Sequence, residues 1–92
     1  MQGTEIPVKS TQIVYQRPDR EGFLINPQEG KLKVVNSTAA QVWELMDDQK
    51  TIDEIACEMA ALFNRPYEEV QSDLHDFLQQ LIDRSLIYLK EE

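Results

Sequence analysis

The chain has 92 residues, 41% of them hydrophobic and 28% charged, the make-up of one globular domain with a modest core. Seventeen acidic against nine basic side chains leave a net charge of −8, which weighs against duplex nucleic acid, since such binding draws on Lys and Arg displacing counterions. A single cysteine excludes an internal disulfide, and one cysteine with one histidine leaves little for a metal site or a catalytic triad.

Residues 1–11 are polar, show no period and include Gly3 and Pro7. They read as a flexible N-terminal arm ahead of a single domain over 12–92. No signal-peptide core and no membrane-length apolar run is present, so a cytoplasmic protein is expected. Gln12–Tyr15 is a β-branched and aromatic run closed by the turn chemistry of residues 17–22. Phe23–Ile25 is a second run, followed by the turn Asn26-Pro27-Gln28-Glu29-Gly30. Lys31–Val35 alternates, with Leu32 and Val34 on one face and both lysines with Val35 on the other. Leu32 and Val34 are expected to face the core. Two successive hairpins predict a three-stranded meander, which needs a helical layer over one face.

The remainder has a helical period. Ala39, Val42, Trp43 and Met46 form one apolar stripe between Ser37 and Met46. Thr51-Ile52-Asp53-Glu54 is a capping box, after which Ile52, Ile55, Ala56, Met59 and Phe63 form a second stripe. Pro66, Glu68 and Glu69 suit a helix start, and Val70, Leu74, Phe77 and Leu81 form the third stripe, flanked by Leu78 and Ile82. The segment Ser85–Leu89 is expected to pack back on the body as a short extended piece. The fold class is therefore α+β, three strands and then three helices.

Val35-Asn36-Ser37-Thr38-Ala39-Ala40-Gln41-Val42-Trp43-Glu44-Leu45 and Thr51-Ile52-Asp53-Glu54-Ile55 resemble the PqqD-like family. Glu69-Val70, Asp73-Leu74, Phe77-Leu78, Leu81 and Leu86-Ile87 continue that resemblance over most of residues 12–89. Asp48 and Ser85 stand where the family has glycines, and Val35 where it has leucine. The resemblance implies a winged-helix-like RiPP recognition element. Such a domain binds the leader of a ribosomally made precursor peptide and presents it to a tailoring enzyme, often a radical S-adenosylmethionine enzyme. It further implies that the leader adds as an antiparallel strand to the third strand, against the third helix. No cofactor, metal or catalysis of the domain's own is expected, and the pathway, pyrroloquinoline quinone or another, is left open.

The implied peptide-binding residues are Lys31, Leu32, Lys33, Val34 and Val35 on the strand and Asp73, Phe77, Gln80 and Leu81 on the helix. The two lysines have two readings, one as protection of an edge strand against aggregation and one as attraction for an acidic leader. Trp43 is expected as a core anchor, Cys57 as a half-exposed thiol without a task, and His75 as a solvent-facing side chain. Asn36-Ser37-Thr38 reads as a cap for the first helix. The same element order would serve a winged-helix DNA-binding regulator. Against this, the third helix carries Glu68, Glu69, Asp73, Asp76 and Asp83 with Arg84 alone in opposition, and would repel phosphate. No nucleic-acid or membrane partner is expected, and the oligomeric state is monomer or weak homodimer.

Overall fold

The structure is a computed structural model and describes residues 1–91. In chain order it contains β1 (Ile6–Lys9), β2 (Val14–Gln16), β3 (Gly22–Asn26), β4 (Lys31–Val35), α1 (Ser37–Leu45), α2 (Ile52–Phe63), α3 (Tyr67–Asp83) and β5 (Ile87–Lys90). Strands β2, β3 and β4 form the antiparallel meander, with β3 central, and the three helices follow it as expected. The Asn26–Lys31 turn has Gly30 at φ 65°, which a side chain would resist. Gly22 is required by close approach within the sheet. A Cβ there would come within 2.9 Å of the Tyr15 ring and 3.0 Å of a Val35 methyl.

The N-terminal residues are not a loose arm throughout. Ile6–Lys9 pairs antiparallel with Ile87–Lys90, making a separate two-stranded ribbon from the two ends of the chain. Ile6, Pro7 and Val8 are buried. Residues 3–5 are also tied down. The first free amides of α2, those of Ile52 and Asp53, donate to the carbonyls of Glu5 and Gly3 at 3.0 Å each. With the Thr51 hydroxyl accepting from the Glu54 amide and Glu54 accepting from the Thr51 amide, the whole first turn of α2 is satisfied. The strand escaped sequence reading because it is four residues long, contains a proline and finds its partner about eighty residues away.

The core runs from Leu24 and Val35 on the sheet through Val42, Trp43 and Met46 of α1 and Ile52, Ile55, Ala56 and Met59 of α2. It ends on Val70, Leu74, Leu78 and Leu81 of α3 with Leu86 and Ile87. Trp43 is 3% exposed, a core anchor, and the Tyr15 ring lies 6.1 Å from it. Asn36 caps α1, its side chain accepting from the Ala39 amide at 2.8 Å. Both positions where glycine was anticipated have left-handed backbone: Asp48 at φ 65° and Ser85 at φ 58°. Ser85 closes α3 in a Schellman turn, the Leu86 amide donating to Leu81 and the Ser85 amide to Ile82 at 2.9 Å each.

The phase of β4 is opposite to expectation. Leu32 and Val34 point away from the helices, 58% and 49% exposed, whereas Val35 is buried and Lys33 half-buried. Lys33 pairs with Leu24 of β3, itself fully buried, so residues 31, 33 and 35 share the helix-facing side. A lysine fits there because its aliphatic stem lies along apolar surface while its ammonium reaches a polar partner at the margin. His75 is half-buried rather than solvent-facing, and Cys57 is exposed.

Candidate functional site

β4 is an edge strand. Its outer side has no strand partner among the described residues, so alternate amides and carbonyls of residues 31–35 are free of the sheet ladder. Facing that edge across a groove of about 480 Å³ is one flank of α3. At about 100° per residue, Asp73, Phe77, Gln80 and Arg84 fall on a single flank of the Val70-Leu74-Leu78-Leu81 stripe. The groove therefore has a polar strand edge on one side and a mixed helix flank on the other. Its apolar floor includes Val42, Met59 and Leu74, all buried core residues whose edges show in the cleft.

Six of the nine residues anticipated from sequence come together here: Lys33, Val34, Val35, Asp73, Phe77 and Gln80 all line the groove. Lys31 and Leu32 sit on the same strand but beyond the end of the groove. Leu81 does not contribute. It is fully buried in the core, because it lies near the centre of the α3 stripe rather than on its flank. Phe77 is half-buried, and Leu78 holds the core position next to it.

Sequence reading missed part of the wall. Phe63, assigned to the second core stripe, is 42% exposed and lines the groove together with Arg65 and Asp76. The signal lay in its position. It ends α2 immediately before Asn64, whose left-handed backbone (φ 50°) turns the chain away before another element covers the ring.

Two polar contacts mark the ends of the cleft. Arg65 pairs with Asp73 at 2.9 Å where α2 gives way to α3. At the other end the Lys33 ammonium donates to Gln80 Oε1 at 3.1 Å, bridging β4 to α3. Burial pulls the Lys33 pKa below the ordinary lysine value, and the nearby Arg84 charge adds to that. Among the described residues no cluster of His, Cys, Asp and Glu could hold a metal ion, and no helix is long and apolar enough to cross a membrane.

The geometry is thus an open strand edge beside an apolar cleft, the arrangement by which an extended peptide is taken up as an additional strand. Two solved structures share the fold. TbiB1, determined in complex with the TbiA(beta) leader peptide, is 26% identical over 87% of this chain and 93% of its own, with a TM-score of 0.80. The PqqD truncation of Methylobacterium extorquens PqqCD was solved by solution NMR as a functional, stand-alone RiPP recognition element. It is 16% identical over 95% of this chain and 93% of its own, with a TM-score of 0.81. No curated protein matches the chain significantly. The family described as coenzyme PQQ synthesis protein D matches residues 21–87, from the central strand to the first residue of β5, and so takes in the strand edge, the cleft and all three helices. The chain belongs to the PqqD family.

Proposed function

We propose that this protein binds the leader segment of a ribosomally made precursor peptide along β4 and presents it to a tailoring enzyme, without catalysing a reaction itself. The observation that carries the reading is the unpaired edge of β4 standing across an apolar cleft from the Phe77 flank of α3. Main-chain hydrogen bonds to the edge supply affinity, and the cleft selects among side chains. Membership of the PqqD family supports it, and so does the leader peptide bound to TbiB1, the relative of the same fold at 26% identity. In this role the tailoring enzyme is of the radical S-adenosylmethionine class, and the groove residues are Lys33, Val34, Val35, Phe63, Asp73, Phe77 and Gln80. The DNA-binding alternative is not favoured, since α3 presents five carboxylates against Arg84 alone where phosphate would have to approach.

Amide chemical-shift mapping tests the reading. The titrant is a synthetic peptide covering the leader of the short precursor encoded nearest to this protein. Shifts concentrated on residues 31–36 and on the Asp73–Gln80 flank are expected. Shifts confined to α2 around Cys57, with β4 untouched, would remove this binding mode. A Phe77→Ala variant that keeps its fold is expected to lose most of the binding.

A further inference from the structure

Lys33 is a half-buried cation with no carboxylate paired to it among the described residues. Arg17, Lys50 and Arg65 each have a carboxylate within 3.0 Å. Lys33 is half-buried, yet its only side-chain partner among the described residues is the neutral amide of Gln80. Arg84 is close enough to add repulsion, and Lys31 shares the helix-facing side of the same strand. A chain of net charge −8 therefore keeps a small basic spot, without a resident counter-charge, at one end of the cleft. Neither acid that lines the groove is paired with Lys33. Asp73 is engaged by Arg65, and Asp76 lies one turn of α3 before Gln80.

Strand geometry converts that spot into a register. A strand added antiparallel to β4 meets Val35 first and Lys31 last when read from its own N-terminus. Directly opposed residues share a face of the sheet, so ligand side chains opposite Val35 and Lys33 enter the cleft, and the one opposite Val34 points to the outer face. The cleft beside Val35 is floored by Val42, Met59 and Leu74 and walled by Phe63 and Phe77. The outer face beside Val34 carries Phe23, its cross-strand partner, and the row Val14-Ile25-Leu32 next to it, all apolar.

Resting on the peptide-binding reading above, we infer that the groove selects a strand with an apolar side chain opposite Val35 and a carboxylate two residues further toward the C-terminus, opposite Lys33. The intervening residue joins the apolar outer face. The carboxylate replaces Gln80 as the partner of Lys33 and gives the desolvated ammonium its missing counter-charge. The apolar anchor alone does not fix direction, because a strand can slide or reverse over an apolar cleft; the charge at one end does.

Selection from a display library of random dodecapeptides on the intact protein tests this without knowledge of the natural ligand. The expected consensus is an apolar residue followed at the second position toward the C-terminus by Asp or Glu. A synthetic peptide of the leading clone is expected to bind about tenfold more tightly than its version with lysine at the acidic position, and Lys33→Glu is expected to invert that preference. Lys33→Gln, which should abolish the preference without inverting it, serves if Lys33→Glu does not fold. Peptides that shift the amides of β4 and α3 but lack the spaced acid, or whose charge preference is the same on wild type and Lys33→Glu, overturn this inference and leave the peptide-binding reading in place. A library that yields no binder to the groove overturns both.

Discussion

Lys33 and Gln80 bridge the mouth of the groove, the ammonium of the strand residue donating to the amide oxygen of the helix residue at 3.1 Å. This contact is the direct link between the edge strand and the helix flank, and a bound strand must share or displace it. Gln80→Glu places a carboxylate where the amide oxygen now accepts. The variant is expected to satisfy Lys33 internally and to weaken binding of acidic peptides while leaving basic ones unaffected or improved. Its folding stability should change by no more than ~1 kcal/mol, as for other partly exposed ion pairs. Calorimetric titration of matched acidic and basic peptides checks the first expectation and urea unfolding the second.

The two aromatic residues Trp43 and Phe77 separate stability from binding. Trp43 is 3% exposed at the centre of the core. Trp43→Ala is expected to cost ~3–5 kcal/mol, the range for truncating a large buried aromatic. Phe77 is half-buried at the groove wall, so Phe77→Ala should cost clearly less and act mainly on peptide affinity. Urea midpoints of both variants decide it, and an unchanged midpoint for Trp43→Ala would contradict the packing described.

Ser85 and Asp48 both hold left-handed backbone, but only Asp48 has a compensating role. Its carboxylate accepts from the Lys9 amide at 3.0 Å and so supports β1. Ser85→Gly relieves the strain of the Schellman turn and is expected to stabilise the protein by ~1 kcal/mol. Asp48→Gly trades relief for the lost hydrogen bond and is expected to be near neutral. Denaturant midpoints at constant slope distinguish the two.

Removing Ile6 tests the role of the terminal ribbon. Ile6→Ala is expected to destabilise by about 2 kcal/mol, because the side chain is 5% exposed. Hydrogen exchange provides a second check. Amides of Val8 and Ser10, the latter donating to the Leu86 carbonyl, should exchange far more slowly than those of a frayed terminus, and rapid exchange there would contradict the β1–β5 pairing.

Tyr15, Glu44 and Arg17 predict opposite effects at the two ends of the pH scale. The Tyr15 phenol, pushed up to about 12 chiefly by burial and next by its bond to Glu44, is favoured in its protonated form by the fold. Its contribution is complete below the ordinary tyrosine value of ~10 and lost as pH rises from there through about 12. The Glu44 carboxyl is held below the usual range by the Tyr15 hydroxyl first and Arg17 second. Its contribution is present above the ordinary value of ~4.3 and lost as pH falls through the lowered one. Tyr15→Phe is expected to remove the highest phenolate step in an ultraviolet titration and to shift the acid limb of stability upward in pH.

The helices were legible because their information is local. Stripes at helical spacing, the Thr51–Glu54 capping box and the Asn36 cap each lie within one or two turns of chain, and the structure has them at those residues. The order of meander and helices followed from the same short-range signals. Asp73, Phe77 and Gln80 could be placed on one flank of α3 from spacing alone, since a helix presents a known face every turn.

Tertiary structure decided what short-range pattern leaves open. The alternation in Lys31–Val35 has a period but no phase: five residues with apolar side chains on both faces do not say which face is inside. Packing of Val35 and Leu24 under the helices settled it, turning Lys33 inward and Leu32 outward. Leu81 joined the core and Phe63 left it because burial depends on which neighbouring element covers a stripe, not on the stripe. The Ile6–Lys9 strand depends wholly on a partner at the far end of the chain. The cleft itself exists only where β4, the end of α2 and the flank of α3 converge, a junction of segments distant in sequence.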